Sequence, residues 1–533
     1  MGAVAEVATV EKFKAISPAE FFFRNKEIAG FQNPARALYQ TIRELVENAL
    51  DATDAHGILP NVKVMIDQDP SRPTFYTITV EDNGIGIPPQ YIPRAFGQLL
   101  FSSKYVLRQT RGTFGLGAKM AVLYGQITTG KPVEVVSSTI NSNRIYIFRI
   151  LIDVKTNKPI ILHQESVRKN NGWHGTIVKV TIEGDWSRAK SRIYEYIRRT
   201  AIIAPYAEIL FKDPEGNYLI FKRSITMLPK PPRETKYHPH GIDLEVLKSL
   251  IQETKATTLL EFLKTEFSGV GEATAKAFLK FANLPPDKNP KQLTRQEIEY
   301  LARMLREFKF KNPKGIHLSP LGKEIIIAGL KSILRPEFVT AISRKPSAYQ
   351  GHAFIVEVGI AYGGAIPYSE SPILFRFANK IPLLYDEKSD VSWKVLTERI
   401  NWSAYEISFP APLAVLVHIC STKIPYKGAG KESIAEVPQI ESEIELAVRE
   451  AARELRSYII KKRKEEELAR KAVNIAKYIP DVARSLTKLA FDLKVGKSLI
   501  DYELLTQALL KGLNRRLKDY IIKSLDEVVV SIE

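Results

Sequence analysis

The stretch Glu44-Leu-Val-Glu-Asn-Ala-Leu-Asp51 constrains this chain more than any other. Read as a helix, with Leu38, Ile42, Leu45, Val46 and Ala49 available for a buried side, it sets Glu44, Asn48 and Asp51 on one face. The carboxamide oxygen of Asn48 is a hard ligand of the kind Mg²⁺ accepts while it keeps several waters and holds nucleotide phosphates. A carboxylate one turn away, Glu44, could polarise a water aimed at a terminal phosphate. The solvated face of an ordinary amphipathic helix carries the same stripe, so the neighbouring motifs must decide.

Those motifs begin with two strand-like runs, 62–66 and 76–81, separated by a loop over 67–73. Asp67 and Asp69 in that loop could hold a metal or simply form a turn. The second run ends in Asp82-Asn83-Gly84-Ile85-Gly86. Its glycines let backbone approach a ligand, and Asp82 is placed to accept a hydrogen bond in a pocket; a purine amino group is one such donor, and a plain Asp-Asn-Gly turn is the alternative. Next come Ser103-Lys104 and then Arg111-Gly112-Thr113-Phe114-Gly115-Leu116-Gly117-Ala118-Lys119, leading into a helical run through Leu123. Glycines 112, 115 and 117 before a helix expose successive N–H groups, which is a phosphate cradle. The segment fits neither a Walker A loop nor Gly-x-Gly-x-x-Gly. Apolar strands over 144–152 and 176–182 complete a first two hundred residues that mix helices with a largely antiparallel sheet.

Glu44-x-x-x-Asn48-x-x-Asp51, Asp82-x-Gly84-x-Gly86 and Gly112-x-x-Gly115-x-Gly117, in this order, resemble the ATP-binding domain shared by gyrase, the large heat-shock chaperones, histidine kinases and mismatch-repair ATPases. The resemblance covers roughly residues 20 to 220, with Gly175-Thr176 similar to the family's fourth motif. It implies ATP and Mg²⁺ as ligands, Glu44 as general base, Asn48 as Mg²⁺ ligand and Asp82 as adenine reader. It also implies a lid over the phosphates made of Ser103, Lys104, Gly112, Thr113, Phe114, Gly115, Leu116, Gly117, Ala118 and Lys119.

Charge fits that direction. Lys and Arg number 77 against 59 Asp and Glu, a formal net charge of +18 that favours polyanionic partners; a basic surface serving solubility would look the same. Cys420 is the one cysteine, which excludes an intramolecular disulfide and a cysteine zinc cluster. The N-terminus lacks signal-peptide order, Glu6 stands where a myristoylation motif has Ser or Thr, and apolar runs such as 413–420 fall short of the roughly 20 residues of a membrane helix. A cytoplasmic protein without a membrane partner is expected.

Beyond the ATPase-like region, residues 229–239 read as a linker, and His238 and His240 have no nearby Cys or acidic cluster with which to bind a metal. Residues 242–308 are helical, and Gly269-Val270-Gly271 with Lys276 and Lys280 resembles the helix-two-turn-helix module of DNA glycosylases; a structural insert is the alternative. Strand patterns at 353–362, 373–378 and 413–421, with a helix-like 391–400, imply a strand, crossover helix, strand unit. In Pro425-Tyr-Lys-Gly-Ala-Gly-Lys431, Lys427 could carry positive charge into another domain's site or sit exposed. The loop resembles the lysine-bearing loop of the transducer that follows the ATPase domain in gyrase-like enzymes. A helical pattern over 441–477 could span some 50 Å at about 1.5 Å per residue. Apolar spacing recurs at Val482, Leu486, Leu489 and Leu493, and at Leu509, Leu513, Leu517 and Ile521. Phe21, Phe22 and Phe23 belong to an N-terminal segment that wraps a second subunit or packs on its own domain.

Taken in order, these segments resemble the B subunits of archaeal DNA topoisomerase VI. The fold expected is α+β and multidomain: strap and ATP-binding α/β sandwich with a mixed sheet (1–228), helix-two-turn-helix insert (229–308), βαβ-containing transducer with a long helix (309–470) and helical tail (471–533). The resemblance implies an isomerase that binds double-stranded DNA and relaxes and decatenates it. Two B subunits would dimerise on ATP, Lys427 would reach the γ-phosphate, and a separate A subunit would cut DNA in an assembly of two A and two B. A mismatch-repair or chaperone type ATPase would share the nucleotide motifs without the insert. A DNA-binding scaffold without catalysis would leave Glu44, Asn48 and Lys427 without a role.

Overall fold

The structure, a computed structural model, describes residues 14–492 and 505 apart from 113, 114, 171 and 429. A short helix, α1 (Pro18–Arg24), turns Phe22 onto the core and leaves Phe21 and Phe23 exposed. The chain then enters α2 (Pro34–Thr53), which Pro34 opens and Asn33 caps by accepting the Arg36 N–H at 2.9 Å. As its periodicity predicts, Leu38, Ile42, Leu45, Val46 and Ala49 are buried.

Strands β1 (Asn61–Asp69) and β2 (Arg72–Asp82) run almost to contact, so the loop expected over 67–73 shrinks to a tight turn. Asp69 accepts the Ser71 N–H at 3.0 Å and pairs with Lys131, while Asp67 pairs with Lys212 at 2.8 Å. Short helix α3 (Ile92–Gly97) and α4 (Gly117–Thr129) follow, then β3 (Val133–Ser138), β4 (Arg144–Asp153), β5 (Lys158–Arg168), β6 (Gly175–Glu183), α5 (Trp186–Ile203), β7 (Glu208–Lys212) and β8 (Tyr218–Phe221). The eight strands form one mixed sheet, β5-β4-β3-β6-β2-β1-β7-β8, in which β1 and β7 are the parallel pair. Helices α2, α4 and α5 cover it with their apolar faces.

The insert contains α6 (Leu244–Glu253), α7 (Leu259–Glu266), α8 (Glu272–Phe281) and α9 (Arg295–Glu307), which close a separate core around Phe262, Phe278, Leu301 and Phe310. The turn 269–271 separates α7 from α8, and Lys264 and Lys276 both pair with Glu272. Helix α10 (Lys323–Leu334) then lies on α5 so closely that a Cβ at Gly329 would stand 1.9 Å from the Ile202 carbonyl oxygen. Through this contact Ile325, Ile326 and Leu330 join the core of the first sheet.

The second sheet holds β9 (Phe338–Ser343), β10 (Ser347–Tyr349), β11 (His352–Tyr362), β12 (Ile373–Ala378), β13 (Ile381–Pro382) and β14 (Leu413–Ser421). Strands β12 and β14 are parallel, and the crossover carries α11 (Val391–Lys394), which continues as a π-helical turn over Val395–Arg399. Cys420 lies buried on β14 beside Leu318, Ala353 and Ile355.

Helix α12 (Pro438–Asp492) passes unbroken through 470, where the sequence places a domain boundary, because 469–472 contain neither Gly nor Pro to stop it. Val482, Leu486 and Leu489 are exposed on it; Leu493, Leu509, Leu513, Leu517 and Ile521 lie outside the described residues. By its contacts the chain divides at 401/402, 408/409 and 451/452 into two units. In the smaller one, Arg463 holds Glu406 at 2.7 Å. Among the described residues no helix is long and apolar enough to cross a membrane.

Candidate nucleotide site

A cavity of about 810 Å³ opens over the polar stripe of α2, within the size range of small-molecule sites. Glu44, Asn48 and Asp51 line it, as do Asp82, residues 101–104, 108–112 and 115–120, and Asn379, Lys380, Lys431 and Glu432 from the region of the second sheet. Gln40, one turn before Glu44, donates to Glu44 Oε1 at 2.9 Å and fixes the carboxylate's direction. Helix α4 starts at Gly117 with no side-chain cap, so its first N–H groups are open to an anion. A Cβ at Gly117 would stand 1.6 Å from Glu44 Oε2, so any larger residue there would push the carboxylate aside.

A chain of charges crosses the cavity floor. Lys104 Nζ donates to Asn48 Oδ1 at 3.0 Å and to Asp51 Oδ2 at 2.8 Å. Arg111 Nη1 bridges Asp51 and Asp54, at 3.0 Å each, and its Nη2 reaches Asp54 at 2.7 Å. Burial pushes the Asp51 carboxyl up, but Lys104 and Arg111 together outweigh it and hold it below the ordinary value. The same burial acts on Asp54, where Arg111, Lys380 and the Tyr206 hydroxyl outweigh it further and hold that carboxyl lower still. Burial brings Lys119 down to about 8, with repulsion from Lys104 adding, and Lys119 donates to the Gly115 carbonyl at 2.6 Å.

At the far wall, burial pushes Asp82 up to about 7 although the backbone N–H groups of Gly84 and Thr176 donate to it. Gly175, at φ +130°, brings β6 against this strand end, where a Cβ would lie 2.0 Å from the Asp82 carbonyl oxygen. A buried carboxyl with few partners is an acceptor awaiting a donor.

The structure brings Glu44, Asn48, Asp82, Ser103, Lys104, Gly112, Gly115, Leu116, Gly117, Ala118 and Lys119 to this one cavity. Thr113 and Phe114 lie outside the described residues. Lys427 is elsewhere: its ammonium pairs with Glu436 at 3.1 Å, and the cavity lining takes Lys431 from the same loop instead. Burial lowers the Lys431 ammonium, while Glu44 and Glu47 pull it the other way. Glu432 beside it is held by Arg36, whose guanidinium also stacks 4.3 Å over the Tyr385 ring. Sequence reasoning missed Gln40 and Asp54, which extend the α2 stripe backward and forward by a turn, and Arg111, Lys380 and Lys431.

The donors suit Mg²⁺, which is held by one or two side-chain oxygens together with substrate phosphates rather than by a protein cage. Asn48 Oδ1 already faces a cation, the Lys104 ammonium, and among the described residues no cluster of three His, Cys, Asp or Glu could hold a metal. His238 and His240 face the Lys311 and Phe308 carbonyls instead.

Residues 33–155 match the family model of histidine kinase-, DNA gyrase B- and HSP90-like ATPases, and residues 313–471 match that of the topoisomerase VI B subunit transducer. The chain is 56% identical over 479 residues to the B subunit of type 2 DNA topoisomerase 6 from Sulfurisphaera tokodaii, covering 89% of this chain and 90% of that one. The protein of the same name from Saccharolobus shibatae is 55% identical over the same shares. The 43K ATPase domain of Thermus thermophilus gyrase B aligns at TM-score 0.38 and 13% identity, over 86% of this chain and 98% of that one.

Proposed function

Because the chain belongs to the family of type 2 DNA topoisomerase 6 B subunits, we propose that it hydrolyses ATP to gate the passage of one DNA duplex through a break in another, made by a separate A subunit. The observation that carries this reading is that Glu44 and Lys431 line one cavity, with the uncapped start of α4 against Glu44.

In the proposed cycle the adenine amino group donates to Asp82, and the N–H groups at the start of α4 take the phosphates. Asn48 would hold Mg²⁺, which when bound neutralises phosphate charge. Lys104 then turns from Asn48 and Asp51 to the phosphate oxygens. Glu44, oriented by Gln40, accepts the proton of the attacking water as it adds to the γ-phosphorus and the bridging oxygen to ADP breaks. Lys431 stabilises the charge spread over the transferring oxygens, the role that the family resemblance implied for Lys427. The exposed Phe21 and Phe23 support dimerisation of two such subunits through their N-terminal segments on ATP. The +18 charge of the whole chain supports contact with double-stranded DNA. Long helix α12 would pass the change to the A subunit, in a cytoplasmic assembly of two A and two B subunits.

The test is relaxation of supercoiled DNA and decatenation by this chain, with and without a co-expressed A subunit, with ATP and without nucleotide. Activity that requires both is expected. ATP hydrolysis with no strand passage in any combination would leave an ATPase and remove the topoisomerase.

A further inference from the structure

The turn between β12 and β13 is Asn379-Lys380, two successive non-glycine residues at φ 48° and 68°. A two-residue hairpin turn calls for such backbone, and Gly rather than Lys is the usual second residue. Lys380 is 5% exposed, and a lysine so deep needs partners for its charge. Its ammonium donates to Ser319 Oγ at 2.9 Å and stands 3.7 Å from Asp54 Oδ2. Burial pulls the ammonium below its ordinary value, and Asp54 opposes this.

Asp54 in turn grips Arg111, the residue at which the glycine-rich segment begins. The two residues before Arg111 are fastened to the same place. Gln109 exchanges two hydrogen bonds with the Ser319 backbone, at 2.7 and 3.3 Å, and Asn379 Nδ2 donates to the Thr110 carbonyl at 3.2 Å. Behind the turn, the Lys380 N–H donates to His418 Nε2 at 3.1 Å, which leaves the proton on Nδ1 to donate to Glu357 at 2.9 Å. Glu357 also accepts the N–H groups of Leu321 and Gly322, at 2.8 Å each, just ahead of α10. An unbroken polar path therefore runs from Lys104 and Asp51, through Arg111, Asp54 and Lys380, into the middle of the second sheet.

We infer that Lys380 is a positioning residue for ATP turnover: it fixes residues 109–111, at the head of the glycine-rich segment, on the transducer, so that nucleotide binding is felt there independently of Lys431. This rests on the ATPase reading above. The two lysines divide the work, Lys431 touching the reacting phosphate and Lys380 holding residues 109–111 in place.

The test is hydrogen–deuterium exchange of the full chain with and without a non-hydrolysable ATP analogue, read separately over residues 109–119 and 378–382. In the parent protein the analogue slows exchange in both segments. In Lys380→Met, protection of 109–119 remains within a few-fold, while nucleotide-dependent protection of 378–382 falls at least tenfold. The kcat for ATP drops with KM little changed, and Lys380→Arg restores most of both. Equal nucleotide protection of both segments in Lys380→Met would overturn the inference. No protection of either segment in the parent would overturn the ATPase reading and the inference with it. Should Lys380→Met not fold, Ser319→Ala removes one partner of the ammonium and leaves the other; a partial loss confined to 378–382 is expected, and its absence counts against the inference.

Discussion

Lys104 Nζ lies 3.0 Å from Asn48 Oδ1, so a lysine sits on the oxygen that would hold Mg²⁺ in the proposed cycle. Metal and ammonium would then compete for one acceptor, and removing the acceptor should end the competition. Asn48→Ala is therefore expected to bind ATP equally well in Mg²⁺ and in EDTA, whereas the parent binds more tightly with Mg²⁺; calorimetric titration in the two buffers reads the difference. Lys104→Met should weaken ATP binding by about tenfold or more, the loss of a charge-assisted hydrogen bond worth about 1.5–3 kcal/mol.

Glu44→Gln keeps the shape of the proposed general base and removes its basicity. Hydrolysis should fall at least a hundredfold, about 2.7 kcal/mol in the barrier, with ATP binding and ATP-dependent dimerisation retained. Gly117→Ala should reproduce the hydrolytic loss by another route, because its methyl group would stand 1.6 Å from Glu44 Oε2 and displace the carboxylate. Steady-state turnover beside size-exclusion chromatography with the analogue separates chemistry from assembly.

The two lysines of the 425–431 loop give opposite expectations. Lys431→Ala should lower kcat by about 10²–10³, as loss of one preorganised donor to a transition-state oxygen does. Lys427→Ala breaks a half-exposed pair with Glu436, of a kind that adds little to stability, and should leave turnover within twofold. Equal losses in both variants would return Lys427 to the site.

Asp82 supplies a pH dependence. Burial pushes its carboxyl up to about 7, and an adenine amino group bound as proposed would donate to the ionised form, so binding would expel a proton. Affinity should tighten as pH rises from 6 toward 7 and level off above it, by less than tenfold per pH unit. Asp82→Asn should flatten that part of the profile, and the difference between the two proteins separates this carboxyl from the titration of the phosphate itself.

The parts of this site legible in the sequence are those set by short-range geometry. Glu44, Asn48 and Asp51 share a face because a helix repeats every 3.6 residues, and the glycines at 112, 115 and 117 announce a backbone open to anions before any fold is known. The parallel pairing of β12 with β14 followed from the helix between them. Which lysine lines the cavity was not legible, because it depends on a hairpin. Tyr426 bridges to Ile434 and the Lys427 N–H donates to the Ser433 carbonyl at 3.0 Å, so Lys427 belongs to the stem and Lys431, at φ 53°, to the bend. Asp54, Arg111 and Lys380 left no local signal, since the partners are 57 residues apart in one case and more than 300 in the other.

Cys420 is the chain's one thiol, and it is wholly buried, with burial raising it well above its ordinary value. The native protein is thus dark to maleimide dyes. A cysteine introduced at Tyr368, which is 75% exposed, would take up a fluorophore by itself, without first removing a native residue. Energy transfer between two labelled copies would then report their approach in real time as ATP is added.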